Sequence, residues 1–353
     1  MDYIKKHVIF CFFILSLSCY AFGNKTVAAS KLPVQENREV LRLGMMNLMA
    51  GGAIQLAMEQ GFFAGIDLKI LSFSSAQHVA TAIASGDVDI GQSGLTAAVY
   101  NLAGKEKLKI IAGASSETYN WPSAAYVVSN TAWNKGIRKP SQLQNVSLGI
   151  TEKGSTFHYM AGLLADKYSF SLEEKIKLIP LATLPALRSA LATSQIDSAI
   201  LPSVVSHKVE EEKAGHIIGY VGNETPWQVT GVFASTKILK ENPKLVKKYL
   251  AGFIKGCKYY HRIFNTEKPG LYATKEMLAK WPERENAATI ISLFIKPVLD
   301  PVLISRFPVY IKADGMIDQN SIQHQIDWYK SRGMVEKGVT VGKVLNLNFL
   351  SPK

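Results

Sequence analysis

Ser85-Gly86-Asp87-Val88-Asp89-Ile90 closes one run of alternating elements, and Ser194-Gln195-Ile196-Asp197-Ser198 closes another, with its Asp 108 residues further on. The two runs also open alike. Leu41-Arg42-Leu43-Gly44-Met45 matches Val146-Ser147-Leu148-Gly149-Ile150, the glycines lying 105 residues apart. Short apolar stretches bounded by Gly and Ser read as buried strands. Working outward, the first run predicts a strand at 41–46, a polar loop at 47–52 and a helix over 53–60 that stops at Gly61. A strand at 67–73, a helix at 76–85, a short strand at 88–91, the loop Gln92-Ser93-Gly94, a third helix and a strand at 108–114 follow. The second run predicts the loop Glu152-Lys153-Gly154-Ser155-Thr156, a helix over 157–167, a strand at 177–181 and a helix over 184–193. Alternating βα units of this kind build parallel sheets covered by helices, so the fold class is α/β with two like-sized lobes.

Two joints resemble each other. Asn120-Trp121-Pro122-Ser123 precedes the strand 124–129, and Thr225-Pro226-Trp227-Gln228 precedes the strand 230–235. They read as two crossings between lobes, which together make a hinge, with Trp121 and Trp227 near the cleft. Packing in the core is the competing reading for both indoles. The expected organisation is a leader at 1–23, a first lobe from 36–119, a second lobe from 120–228, and a return to the first lobe over 229–350. That last part carries amphipathic helices over 242–262 and 320–333.

The N-terminus reads as a secretory signal: Lys5 and Lys6, an apolar run over 8–17 too short to span a bilayer, then Ala21-Phe22-Gly23. Cleavage is expected near Gly23 or Ala29. Ser16-Leu17-Ser18-Cys19 has Ser where a lipobox wants Leu, so lipid attachment at Cys19 is the less favoured reading. With 353 residues, 47% hydrophobic and 19% charged, the chain is globular and not disordered. Three cysteines, two of them in or beside the leader, exclude a disulfide scaffold. The formal charge of +12 permits nucleic acid, an acidic surface or anionic ligands as partners. Because Lys and Arg do not form a continuous stripe interleaved with aromatics along the sequence, nucleic acid is set aside.

In open α/β sheets ligands bind beyond the carboxyl ends of the strands, where helix N-termini offer free N–H groups and a positive dipole end. The residues at those points are small and polar: Asn47, Ser74, Ser93 and Thr96 in the first lobe, and Gly154, Ser155 and Thr156 in the second. Each is individually explained by helix capping, and as a set facing one cleft they form a polar pocket. Gly154 allows close backbone approach. No phosphate-binding loop, dinucleotide fingerprint or nucleophile elbow is present. The histidines after the leader (His78, His158, His207, His216, His261, His324) lack metal-ligand spacing. Neither an enzyme, nor a cofactor, nor a metal site is therefore expected.

Ala57-Met58-Glu59-Gln60-Gly61-Phe62-Phe63, Gly86-Asp87-Val88-Asp89-Ile90-Gly91, Lys153-Gly154-Ser155-Thr156-Phe157-His158-Tyr159 and Gln325-Ile326-Asp327-Trp328-Tyr329 carry a family resemblance. The chain from 40 to 350 resembles the solute-binding proteins of nitrate, sulfonate and taurine ABC importers, a superfamily shared with binding proteins for thiamine pyrimidine precursors. The resemblance implies a type II periplasmic-binding-protein fold whose two lobes close on a small molecule, a periplasmic location, a monomer, and docking on a membrane permease. It implies an anionic ligand, sulfonate- or taurine-like or nitrate, held by Gly154, Ser155 and Thr156 from one lobe and Asn47, Ser74 and Ser93 from the other, with Trp121 and Trp227 walling its apolar part. A pyrimidine-like heterocycle stacked on Trp is the alternative ligand. An exported enzyme of the same fold is the alternative class. The superfamily's pyrimidine synthase uses a cysteine-rich motif that this chain lacks.

Overall fold

A computed structural model describes residues 38–266, 274–296 and 298–350, so the leader, both cleavage points and Cys19 lie outside the described residues. Thirteen strands are present among them: β1 Glu39–Met45, β2 Ile66–Ser72, β3 Ile90–Gly94, β4 Leu108–Gly113, β5 Ser115–Glu117, β6 Ala124–Val128, β7 Val146–Ile150, β8 Ile176–Pro180, β9 Ser198–Pro202, β10 His216–Tyr220, β11 Trp227–Gln228, β12 Thr230–Ser235 and β13 Tyr310–Ile311. No helix among the described residues is long and apolar enough to cross a membrane.

The strands form two five-stranded sheets of identical plan. One runs β2-β1-β3-β12-β4, the other β8-β7-β9-β6-β10. In each, the first two pairings are parallel and the fourth strand is antiparallel to its neighbours on both sides. That fourth strand is in both cases the one that follows a Trp-containing joint. The fold class is the α/β, two-lobed arrangement expected from the sequence. A small antiparallel sheet, β11-β5-β13, joins the two crossings.

The repeat extends to individual hydrogen bonds. Asp89, just before β3, accepts the backbone N–H of Arg42 in β1 at 2.9 Å, and its carboxylate also pairs with the Arg42 guanidinium at 2.7 Å. Asp197, just before β9, accepts the N–H of Ser147 in β7 at 2.8 Å and the Ser147 hydroxyl at 2.7 Å. Each carboxylate thus ties the central strand of its sheet to the strand beside it. This explains why both tails carry Asp at the same place.

One apolar cluster crosses from sheet to sheet, holding Val79, Tyr100 and Ile110 on one side and Tyr126, Leu148 and Tyr159 on the other. The helix Gln319–Ser331 lies between. Gly162 on the helix Thr156–Lys167 leaves room for the Trp328 ring, since a Cβ there would fall 2.0 Å from it. On the far side of the first sheet, the 22-residue helix Pro243–Phe264 sits on the helix Gly52–Glu59. Gly252 and Gly256 let the backbones approach: Cβ atoms there would stand 2.6 Å from the Phe62 carbonyl and 2.4 Å from the Ala53 carbonyl. Cys257 is buried on this inner face, and burial pushes its thiol well above the ordinary range. The outer face carries a basic row that does not show as a stripe along the sequence. Lys244, Lys247, Lys248, Lys255, Lys258 and Arg262 are all exposed along it. Spacings of three, four and seven residues look scattered in a sequence but fall on one line of a helix.

The carboxylate ties predict a stability effect. Asp197→Ala leaves the Ser147 N–H and hydroxyl without their acceptor and is expected to lower the unfolding free energy by about 2 kcal/mol, with Asp197→Asn losing roughly half as much. Denaturant titration of the two variants against the parent measures this.

Candidate functional site

The carboxyl end of β3 runs through Gly94 and Leu95 to Thr96, which opens the helix Ala97–Gly104. Thr96 is buried, and its hydroxyl accepts the N–H of Val99 at 3.4 Å. Directly opposite, the loop after β7 leads to Ser155, which opens the helix Thr156–Lys167 and accepts the N–H of His158 at 3.3 Å. The two helix N-termini meet at Gly154. Its carbonyl accepts the N–H of Ala97 at 3.0 Å, so a peptide oxygen from the second sheet's loop takes the first free donor of the first sheet's helix. Gly154 has φ of +80°, and a Cβ would press on Ala97 at 3.0 Å. Gly94 is bare for a related reason, since a Cβ there would lie 2.7 Å from the Thr156 methyl. Two positive dipole ends therefore converge beside the hydroxyls of Thr96, Ser155 and Thr156.

Three groups hold the Gly154 loop. His158 is buried, and its Nδ1 accepts the Gly154 N–H at 3.0 Å, which fixes a neutral ring with the proton on Nε2. Burial, reinforced by the charge of Arg332, lowers the His158 pKa to about 4. The Tyr329 hydroxyl donates to the Ser155 carbonyl at 3.1 Å. The Trp328 ring meets His158 edge-on at 5.3 Å. Behind them, Tyr159 contacts Trp227 at 4.8 Å, Trp328 at 5.3 Å and Tyr329 at 5.7 Å between ring centres. The indole N–H groups of Trp227 and Trp328 are buried without a partner among the described residues.

The structure thus brings Thr96, Gly154, Ser155 and Thr156 together. Ser93 is buried one residue before Gly94. Asn47 and Ser74 sit at the exposed rim, where Asn47 Oδ1 accepts the Ser72 hydroxyl at 2.7 Å and Ser74 Oγ lies 3.1 Å from His78 Nδ1. Burial raises the Glu152 pKa, and the nearby His78 opposes this, so the Gly154 loop also faces that rim. Trp227 is buried against Tyr159, whereas Trp121 turns away. Its Nε1 donates to the Phe264 carbonyl at 3.1 Å and its ring packs on Tyr310 at 5.7 Å.

Sequence reasoning missed the hinge chemistry. Gln228 donates to the Ser115 and Thr230 carbonyls at 3.1 and 2.9 Å, and its own carbonyl accepts from Gln325, which in turn accepts the Tyr100 hydroxyl at 2.8 Å. This fully buried amide chain links the small sheet to the helix Gln319–Ser331. Beside it, Glu117 is buried with Oε2 accepting the Ser123 N–H at 2.9 Å and Oε1 accepting the Ser123 hydroxyl at 2.5 Å. Burial raises its pKa to about 7, even though Ser123, Ala124 and Gly222 donate to it. A Glu four residues before the Trp121-Pro122 joint was the available signal.

This geometry defines a two-lobed α/β protein of the periplasmic-binding-protein fold, with two helix N-termini meeting between its sheets. The chain belongs to the NMT1-like family, whose model matches residues 34–273. Curated proteins yield no match. Among solved structures, the alkanesulfonate-binding protein SsuA of Xanthomonas axonopodis pv. citri bound to MOPS superposes with a TM-score of 0.67 at 14% identity, covering 88% of this chain and 99% of that one. The periplasmic aliphatic sulphonate binding protein SsuA of Escherichia coli gives 0.65 at 14% identity, covering 87% and 92%. The periplasmic nitrate-binding protein NrtA of Synechocystis PCC 6803 gives 0.65 at 12% identity, covering 88% and 87%. At these identities the likeness is one of fold.

Two pH effects of opposite sign follow. His158 binds its proton less readily folded than unfolded, so its contribution is complete above about pH 6.5 and is lost as pH falls toward 4. His158→Gln, which keeps an acceptor for the Gly154 N–H, is expected to flatten that acid limb in a series of thermal melts. Glu117 binds its proton more readily folded, so its contribution is complete below about pH 4.5 and fades as pH rises toward 7. Glu117→Gln is expected to remove up to about 3 kcal/mol of pH-dependent difference across that window and none below it.

Proposed function

We propose that this chain is the exported solute-binding component of an ABC importer. It captures a small organic anion, sulfonate- or taurine-like, or nitrate, by hinged closure of its lobes. The lobes are 36–119 with 229–350, and 120–228. The protein acts in the periplasm as a monomer, hands its ligand to a permease in the inner membrane, and performs no catalysis. The observation that carries this reading is the meeting of two helix N-termini, at Ala97 and Thr156, around Gly154. Such an arrangement favours an anion, and Thr96, Ser155 and Thr156 supply uncharged donors. Ligand entry would displace the Gly154 carbonyl from the Ala97 N–H, so affinity is a difference between two occupants of one dipole end. Ser93, Asn47 and Ser74 complete the donor set, and Trp227 bounds the apolar part. Trp121 serves the hinge in this reading. The solved relatives named for alkanesulfonates and nitrate support the ligand class.

A pyrimidine-like heterocycle is the second reading. It is favoured by the unpartnered indole N–H groups of Trp227 and Trp328 beside the Tyr159 ring, which offer stacking and a donor together.

Calorimetric titration with taurine, a short alkanesulfonate, nitrate and an aminopyrimidine decides between them. An anion is expected to bind, and Ser155→Ala with Thr156→Ala is expected to weaken it at least tenfold, which corresponds to about 1.4 kcal/mol. Unchanged affinity in the double variant overturns the anion assignment. Binding of the aminopyrimidine alone selects the second reading, and turnover of any of these ligands overturns the receptor reading.

A further inference from the structure

We propose that the exposed face of the helix Pro243–Phe264 docks this protein on a bilayer surface of anionic phospholipid. The helix contains no Asp or Glu. Apart from Pro243 and Ala251, each of its exposed positions is basic: Lys244, Lys247, Lys248, Lys255, Lys258 and Arg262. From Lys244 to Arg262 the row extends about 27 Å at 1.5 Å per residue. Arg262 is paired with Glu283, and Lys248 donates to the Gly65 carbonyl at 3.0 Å. Lys244, Lys247, Lys255 and Lys258 form no ion pair among the described residues.

The row cannot rotate out of view. Its opposite face is locked into the core by Leu245, Val246, Tyr249, Leu250, Phe253 and Tyr260, and Gly252 and Gly256 seat it directly on backbone carbonyls. Tyr259, half-buried beside the row, carries Arg262 over its ring at 5.1 Å and meets Phe62 edge-on at 6.3 Å. Aromatic groups at the border of a cationic face suit the headgroup level of a membrane. The helix is packed against neighbours along its length, so it forms a shallow wall and not a protruding rod that could enter a nucleic-acid groove. Five of the six cations are lysines, point charges suited to the diffuse negative potential of a lipid surface, where a cluster of four to eight acts collectively. Neither the row nor its neighbours belong to the ligand site, so this docking stands whatever the ligand is.

The test is co-sedimentation of the whole protein with vesicles of equal parts phosphatidylcholine and phosphatidylglycerol, against phosphatidylcholine alone. Binding is expected only to the anionic vesicles, and it is expected to fall as salt shortens the reach of the charges. Lys247→Gln with Lys255→Gln is expected to weaken it about thirtyfold at low salt, with thermal unfolding unchanged. The control pair Lys135→Gln with Lys177→Gln removes the same charge from the other sheet's surface and is expected to change binding less than threefold. Equal losses in both pairs, equal binding to neutral vesicles, or tighter retention on a short DNA duplex at the same phosphate concentration would each overturn the proposal.

Discussion

The hydrogen bond from the Ala97 N–H to the Gly154 carbonyl is the point on which the two lobes are set against each other. It uses the strongest unpaired donor a helix start can offer and fills it with a neutral dipole. Everything around it serves to bring that carbonyl into place. Gly154 must be glycine to turn there, Gly94 must be glycine to clear Thr156, and His158 must be neutral to take the Gly154 N–H. Tyr329 then fixes the following peptide from the helix Gln319–Ser331. The outcome is a contact of modest strength, since a neutral hydrogen bond contributes only about 1 kcal/mol net. The proposed receptor function, which requires opening, is compatible with a contact of that strength.

The hinge has a different character. Its polar groups are linked in buried networks, from the Gln228–Gln325–Tyr100 chain to the four donors, from Ser123, Ala124 and Gly222, around Glu117. Networks of this kind hold one geometry because any partial opening leaves a buried polar group unpaired. The molecule therefore combines a stiff joint with a weak latch, and its lobes are expected to move as bodies about the small sheet β11-β5-β13.

Much of the framework was legible from the sequence because it rests on local rules. Strand and helix ends at Gly61, Gly86 and Ser75 follow from capping and left-handed turns, and the Asp89 and Asp197 echo showed itself as spacing. The carboxylates' purpose, binding the N–H groups of Arg42 and Ser147, was not visible, because it depends on which strands become neighbours. The helix-start residues Thr96, Ser155 and Thr156 could be named from pattern alone. Trp121 could not be placed, because a Trp beside a proline joint says nothing of which lobe receives its ring. The lysine row escaped for a geometric reason: periodicity turns irregular spacing into alignment only once the helix and its buried side are known.

The paired carboxylates have one more implication. Arg42 meets Asp89 across 47 residues and Ser147 meets Asp197 across 50, whereas Ser155 waits for Tyr329 across 174 and Tyr100 for Gln325 across 225. Short loops close at smaller entropic expense than long ones. During synthesis, the core of each sheet can thus be tied as its own segment emerges, while the contacts from Gln325 and Tyr329 that brace the hinge and the latch wait for the helix Gln319–Ser331. The order of assembly is written into the architecture: the two sheet cores first, and the helix that braces one against the other afterwards.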